Sequence, residues 1–112
     1  MTSLPRDLAG LAALPARAGA PQLDATDIAA AAALLPGWTC TGDRLEKTFR
    51  FPDYAATIGF VNAVAWIAQR LDHHPDLLVG YNRCQVTWTT HDAGGVTQND
   101  CSAAARTDAL LA

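Results

Sequence analysis

The chain has 112 residues, 50% hydrophobic and 17% charged, with 8 Lys+Arg against 11 Asp+Glu and a formal net charge of −3. That length allows one domain, and a mildly acidic chain whose lone lysine is Lys47 has no electrostatic footprint for nucleic acid or an anionic membrane. The longest uncharged run, the 16 residues from Tyr54 to Gln69, is shorter than the roughly 20 apolar residues a spanning helix needs, so the sequence reads as soluble.

Residues 1–22 hold three of the six prolines and six alanines, with no aromatic residue and Thr2 as the one β-branched residue. Such a segment has little to bury and is predicted to be a flexible arm, leaving 23–112 as the folded unit. Leu8 to Leu14 is a short apolar run, but Asp7 beside it and Pro15 after it argue against a secretory leader. The Ala-rich run Asp27 to Leu35, which Asp24 or Thr26 can cap and Pro36-Gly37 ends, predicts a helix. Trp38 to Thr41 and Leu45 to Phe51 around a Gly42-Asp43 turn predict a hairpin with Leu45, Phe49 and Phe51 on its apolar face. Pro52-Asp53 opens a second helix, whose apolar stripe runs through Phe60, Val64, Ile67 and Leu71. It must stop near Asp72 or His73, because Pro75 pushes His74 out of the α region.

Leu77 to Tyr81 and Cys84 to Thr90 predict two further strands, joined at Asn82-Arg83, with Val86 and Trp88 on one face and Gln85, Thr87, Thr89 and His91 on the other. After the turn Asp92 to Gly95, Thr97 is a plausible N-cap with Asp100 at N3 of an Ala-rich final helix that runs through Leu111. The order α-β-β-α-β-β-α predicts an α+β fold: a four-stranded antiparallel sheet with helices packed on one face. Cys40, Cys84 and Cys101 are odd in number and lack a Cys-x-x-Cys pair, so they read as reduced, cytoplasmic thiols packed as small hydrophobes.

His73, His74 and His91 are all the histidines of the chain, and all stand at junctions between elements, where a scaffold presents side chains to a cleft. Imidazoles gathered there can protonate one atom while deprotonating another near neutral pH. The plain alternative is structural, with His73 favouring the dipole at a helix C-terminus and the others filling turns. Three histidines could also ligate zinc, but adjacent ones project apart and no carboxylate or cysteine completes a familiar ligand spacing, so no metal is expected. None of the cysteines stands in a context that would mark it as an activated nucleophile.

Asp72-His73-His74-Pro75-Asp76, then Tyr81-Asn82, then Thr90 to Thr97 and Asp100, resemble the pterin-4a-carbinolamine dehydratases, a family also known as the dimerisation cofactor of a hepatic homeodomain transcription factor. The resemblance runs from about Leu23 to the C-terminus; five residues separate Pro75 from Tyr81, nine separate Tyr81 from His91 and eight separate His91 from Asp100. It implies removal of water from a 4a-hydroxytetrahydropterin, left by aromatic amino-acid hydroxylases, to give quinonoid dihydropterin. That reaction delivers one proton to the departing hydroxyl, takes one from the neighbouring ring nitrogen, and needs neither a metal nor another cofactor. The resemblance makes His73 and His91 general acids, each suited to one stereochemistry of the hydroxyl, and gives His74 the tasks of holding the pterin and accepting the ring proton. Asp72, Thr89, Thr90 and Asp92 would line the pocket, and the protein would form a homodimer or homotetramer.

One position departs from the family pattern. Gln69 stands four residues before His73, where the family usually has Glu, and an i, i+4 pair on a helix can touch. Glu would favour the imidazolium of His73, whereas Gln adds no charge, which implies a slower enzyme with its site intact. Two further functions share the resemblance: a non-catalytic dimerisation or regulatory scaffold, and a dehydratase-like protein of molybdenum-cofactor metabolism.

Overall fold

A computed structural model describes residues 4–112. Among them, helices α1 (Leu8–Ala13), α2 (Ala25–Leu34), α3 (Tyr54–Leu71) and α4 (Gln98–Ala109) accompany strands β1 (Thr39–Cys40), β2 (Leu45–Arg50), β3 (Asp76–Val79) and β4 (Arg83–Trp88), with a 3-10 turn at His91–Ala93. Asp24 caps α2 by accepting from Asp27 N–H, and Asp53 caps α3 by accepting from Ala56 N–H, each at 2.8 Å. The hairpin turn is organised by Thr41, whose hydroxyl accepts from the N–H groups of Asp43 and Arg44, both at 3.1 Å.

The strands form one antiparallel sheet in the order β1-β2-β4-β3. Leu45 pairs with Trp88, Phe49 with Cys84 and Leu77 with Val86, so these apolar residues share the inner face. Glu46 and Asp76 both pair with Thr87, which places two carboxylates in a row on the outer face. Lys47, opposite Val86, is an exception on the inner face. It is accommodated because its ammonium reaches Asp108 Oδ1 at 3.1 Å and lies 4.9 Å from the centre of the Phe49 ring. The α+β layout and the antiparallel sheet agree with the sequence reading, and the α3 stripe is buried at Phe60, Val64 and Leu71.

The arm requires a correction. Residues 4–22 do not stay clear of the core: α1 starts on Asp7, whose carboxylate accepts from Gly10 N–H, and it buries Leu11 completely against α4. Residues 1–3 of the expected arm lie outside the described residues. The physical reason is in α4, which is covered by α1 and also by the sheet and α3. Cys101, Ser102, Ala103, Ala104 and Ala105 are consequently all buried, and the last helix has no solvent face over this stretch. Leu11→Ala is expected to destabilise the fold by about 2–5 kcal/mol, against little for the half-exposed Leu8→Ala, as read by urea denaturation. No described helix is long and apolar enough to cross a membrane.

Candidate active site

Helix α3 ends where Asp72 turns left-handed, at φ 48°, and donates its N–H to the carbonyls of Ala68 and Gln69. Aspartate tolerates this region better than most residues, and Pro75 blocks any helical continuation. His73 N–H still reaches Ala68 O at 3.1 Å, but its side chain has left the helical row. The expected pair with Gln69 is therefore not formed. Gln69 stays exposed on α3, while the His73 ring turns into the molecule.

The partner it finds is Asp100, in the first turn of α4. Thr97 and Asp100 form a capping box, in which Asp100 Oδ2 accepts from Thr97 N–H at 2.9 Å. The same oxygen accepts from Thr90 Oγ1 at 2.7 Å, and Thr90 Oγ1 lies 3.0 Å from Thr97 Oγ1. Oδ1 is left to face His73 Nε2 at 2.5 Å. Asp100 is fully buried and the His73 side chain 15% exposed, so this contact is largely shielded from water. The inner-face Trp88 stacks on the His73 ring, with centroids 5.6 Å apart and planes 23° from parallel. The charge absent at residue 69 thus has a counterpart at Nε2. The sequence marked Asp100 as a helix cap, and its second role shows only once the start of α4 lies against the end of α3.

The loop after β4 is shaped by an antiparallel bridge between Thr90 and Gly95. Gly94 sits at φ +79°, and a Cβ on Gly95 would lie 2.2 Å from the carbonyl of Gly42, which accepts from Val96 N–H. Two hollows flank this tight closure. Asp72, Thr90 and Asp92 share one of about 460 Å³, together with Asn99 and residues Arg17 to Gln22. Thr89 and His91 share the other, about 580 Å³, with Asp43 of the hairpin turn and with Glu46 and Asp76 of the outer sheet face. His73 and Thr90 share Asp100 as a hydrogen-bond partner, His74 is exposed at the turn that follows α3, and neither histidine lines either hollow. The three thiols are free; burial raises those of Cys40 and Cys84 above their usual range and, with Asp100 nearby, pushes that of Cys101 up to about 12. They are protonated near neutral pH and unsuited to nucleophilic work.

A family model for pterin 4 alpha carbinolamine dehydratase matches residues 21–110. The chain belongs to that family. Its hydro-lyase chemistry agrees with the sequence reading, and every candidate site residue falls inside the matched range. A relative from Nitrosospira multiformis is 46% identical over 105 residues, covering 94% of this chain and 93% of its own, and one from Paracidovorax citrulli is 52% identical over 94 residues, covering 80% and 81%. Both are assigned by name as pterin-4-alpha-carbinolamine dehydratases. Among solved structures, a transcriptional coactivator/pterin dehydratase from Brucella melitensis superposes with a TM-score of 0.77 at 32% identity, over 81% of this chain and 99% of that one. A pterin dehydratase-like protein identified as a RuBisCO assembly factor in the alpha-carboxysome gives 0.54 at 28% identity, over 65% and 84%.

Proposed function

We propose that the chain is itself a dehydratase of 4a-hydroxytetrahydropterins working through histidine acid-base catalysis. The bond between C4a and the hydroxyl oxygen breaks, the hydroxyl leaves as water after gaining a proton, and N5 loses a proton to give the quinonoid dihydropterin. The contact between His73 Nε2 and Asp100 Oδ1 carries this reading. A carboxylate pinned by two other donors makes Nε2 the protonated nitrogen, and Nδ1 is then the atom that exchanges a proton with the substrate. Trp88 against the ring face keeps the imidazole from rotating away. His91 serves as the acid for the opposite stereochemistry of the hydroxyl, and His74 holds the pterin and accepts the N5 proton. Asp72, Thr90 and Asp92 line the bound ring from one hollow, and Thr89, beside His91, borders it from the other.

The reading extends to a cytoplasmic enzyme, residues 23–112 carrying the site, that recycles pterin beside an aromatic amino-acid hydroxylase. A homodimer or homotetramer is supported by edge strand β3, where Leu78 is 63% exposed with Tyr81 close by at 66%. The second reading, a non-catalytic assembly scaffold, draws on the likeness to the RuBisCO assembly factor. Dehydration of freshly made 4a-hydroxytetrahydropterin separates the two. The purified protein is expected to accelerate it well above the buffer rate; a rate equal to buffer overturns the enzyme and favours the scaffold.

A further inference from the structure

Residues 17–22 form one wall of the hollow that contains Asp72, Thr90 and Asp92, and residues 17–20 lie before the family-matched range. This strap is tied at both ends. The carbonyl of Leu14 accepts from Ser102 Oγ and Arg106 Nη2, each at 2.9 Å, and Leu23 N–H donates to Val96 O at 2.8 Å. Between these anchors, Asn99 binds the backbone of Arg17 in both directions. Its Oδ1 accepts from Arg17 N–H and its Nδ2 donates to Arg17 O, both at 2.9 Å. Ala20 then turns back with its N–H on Arg17 O at 3.3 Å and is 6% exposed.

The two sides of the hollow differ in chemistry. Carboxylates at Asp72 and Asp92 and the Thr90 hydroxyl stand on one side, while the strap offers the small residues Ala18, Gly19, Ala20 and Pro21 between the polar Arg17 and Gln22. A pterin has the same asymmetry: its amino and N3–H donors form one edge, and its variable substituent projects from C6 on the far ring. We propose that the strap, latched by Asn99, is the wall against which the C6 substituent lies, and that it sets the size of substituent the pocket admits. The inference rests on the dehydratase reading and adds which residues discriminate among pterins.

Ala18 is exposed, so Ala18→Trp adds bulk to the wall without disturbing the core. Two pterins, one with a methyl and one with a dihydroxypropyl group at C6, serve as 4a-hydroxy substrates for kinetics and, fully oxidised and unreactive, for titration by fluorescence quenching. For the larger ligand, Ala18→Trp is expected to raise KM and Kd by about tenfold or more; for the methyl ligand they change less than about threefold, as does kcat. Asn99→Ala frees the strap without adding bulk, and is expected to shift the ratio of the two KM values by about threefold with the melting transition retained. Equal effects of Ala18→Trp on both ligands, or none, overturn the wall; if the tryptophan variant does not fold, an unchanged KM ratio in Asn99→Ala overturns it instead. Pterin binding without turnover by the unmodified protein would sink the dehydratase reading, and the Kd ratios then test the wall alone.

Discussion

His73→Gln is expected to lower kcat for dehydration by about 10²–10⁴-fold while the protein stays folded. Glutamine keeps a donor that can satisfy Asp100 Oδ1, which the structure buries completely, so the substitution removes a titrating group without orphaning its partner. His73→Ala removes both. It is expected to lose the same activity and, in addition, to lower the denaturation midpoint, because the buried carboxylate is left one donor short. The comparison isolates proton transfer from mere support: if His73→Gln retains near-normal kcat, His73 is a structural residue and the proposed mechanism fails. The stereochemical division gives a second readout. His73→Gln and His91→Gln are expected to slow opposite 4a epimers, as followed with substrate enriched in each.

The asymmetry between His73 and His91 also bears on what the sequence could reveal. The α3 stripe, the capping box at Thr97 and Asp100 and the two hairpins were legible because each is encoded by local period, turn or cap chemistry. The pairing of β2 with β4, by contrast, joins segments far apart in the chain and had no local signal. Helix α1 was not, since six residues between prolines form a helix only when another surface holds them. The trace it left was indirect: the unbroken run of small residues from Cys101 to Ala105, with no polar row for solvent. The pairing of Gln69 with His73 followed from helical spacing and failed because Asp72 leaves the helix one residue earlier than the pair requires. The three histidines were legible as a group through their junction positions, yet His91 opens onto the outer sheet face while His73 is held inside. That division depends on the tight Thr90–Gly95 closure, and the closure depends on how near Gly42 approaches from another part of the chain.

Asp100 is where stability and chemistry meet, and its substitutions are expected to separate them. Asp100→Ala removes the acceptor for Thr97 N–H and Thr90 Oγ1 and the partner of His73 in one step. Loss of the cap costs about 1 kcal/mol and each buried group left unsatisfied costs about 1–3 kcal/mol, so a loss of about 3 kcal/mol or more is expected in urea denaturation. Asp100→Asn behaves differently. Its amide oxygen can still accept from Thr97 and Thr90, which retains most of the stability, but its NH2 group then faces His73 Nε2. A donor at that place forces Nε2 to accept, so a neutral ring must carry its proton on Nδ1. In the proposed mechanism the nitrogen assigned to the substrate then holds the single proton of a neutral ring, and the imidazolium that acts as the acid has lost the carboxylate it faced. The consequence is a folded protein whose kcat is lower by about 10²-fold or more, the kind of loss seen when a carboxylate that orients a catalytic imidazole is replaced by its amide. Nitrogen-15 NMR of the His73 ring reads the tautomer directly: protonated Nε2 in the unmodified protein and protonated Nδ1 in Asp100→Asn. Full activity in a folded Asp100→Asn variant would mean that the carboxylate serves the helix cap alone, and that the orientation of His73 comes from Trp88.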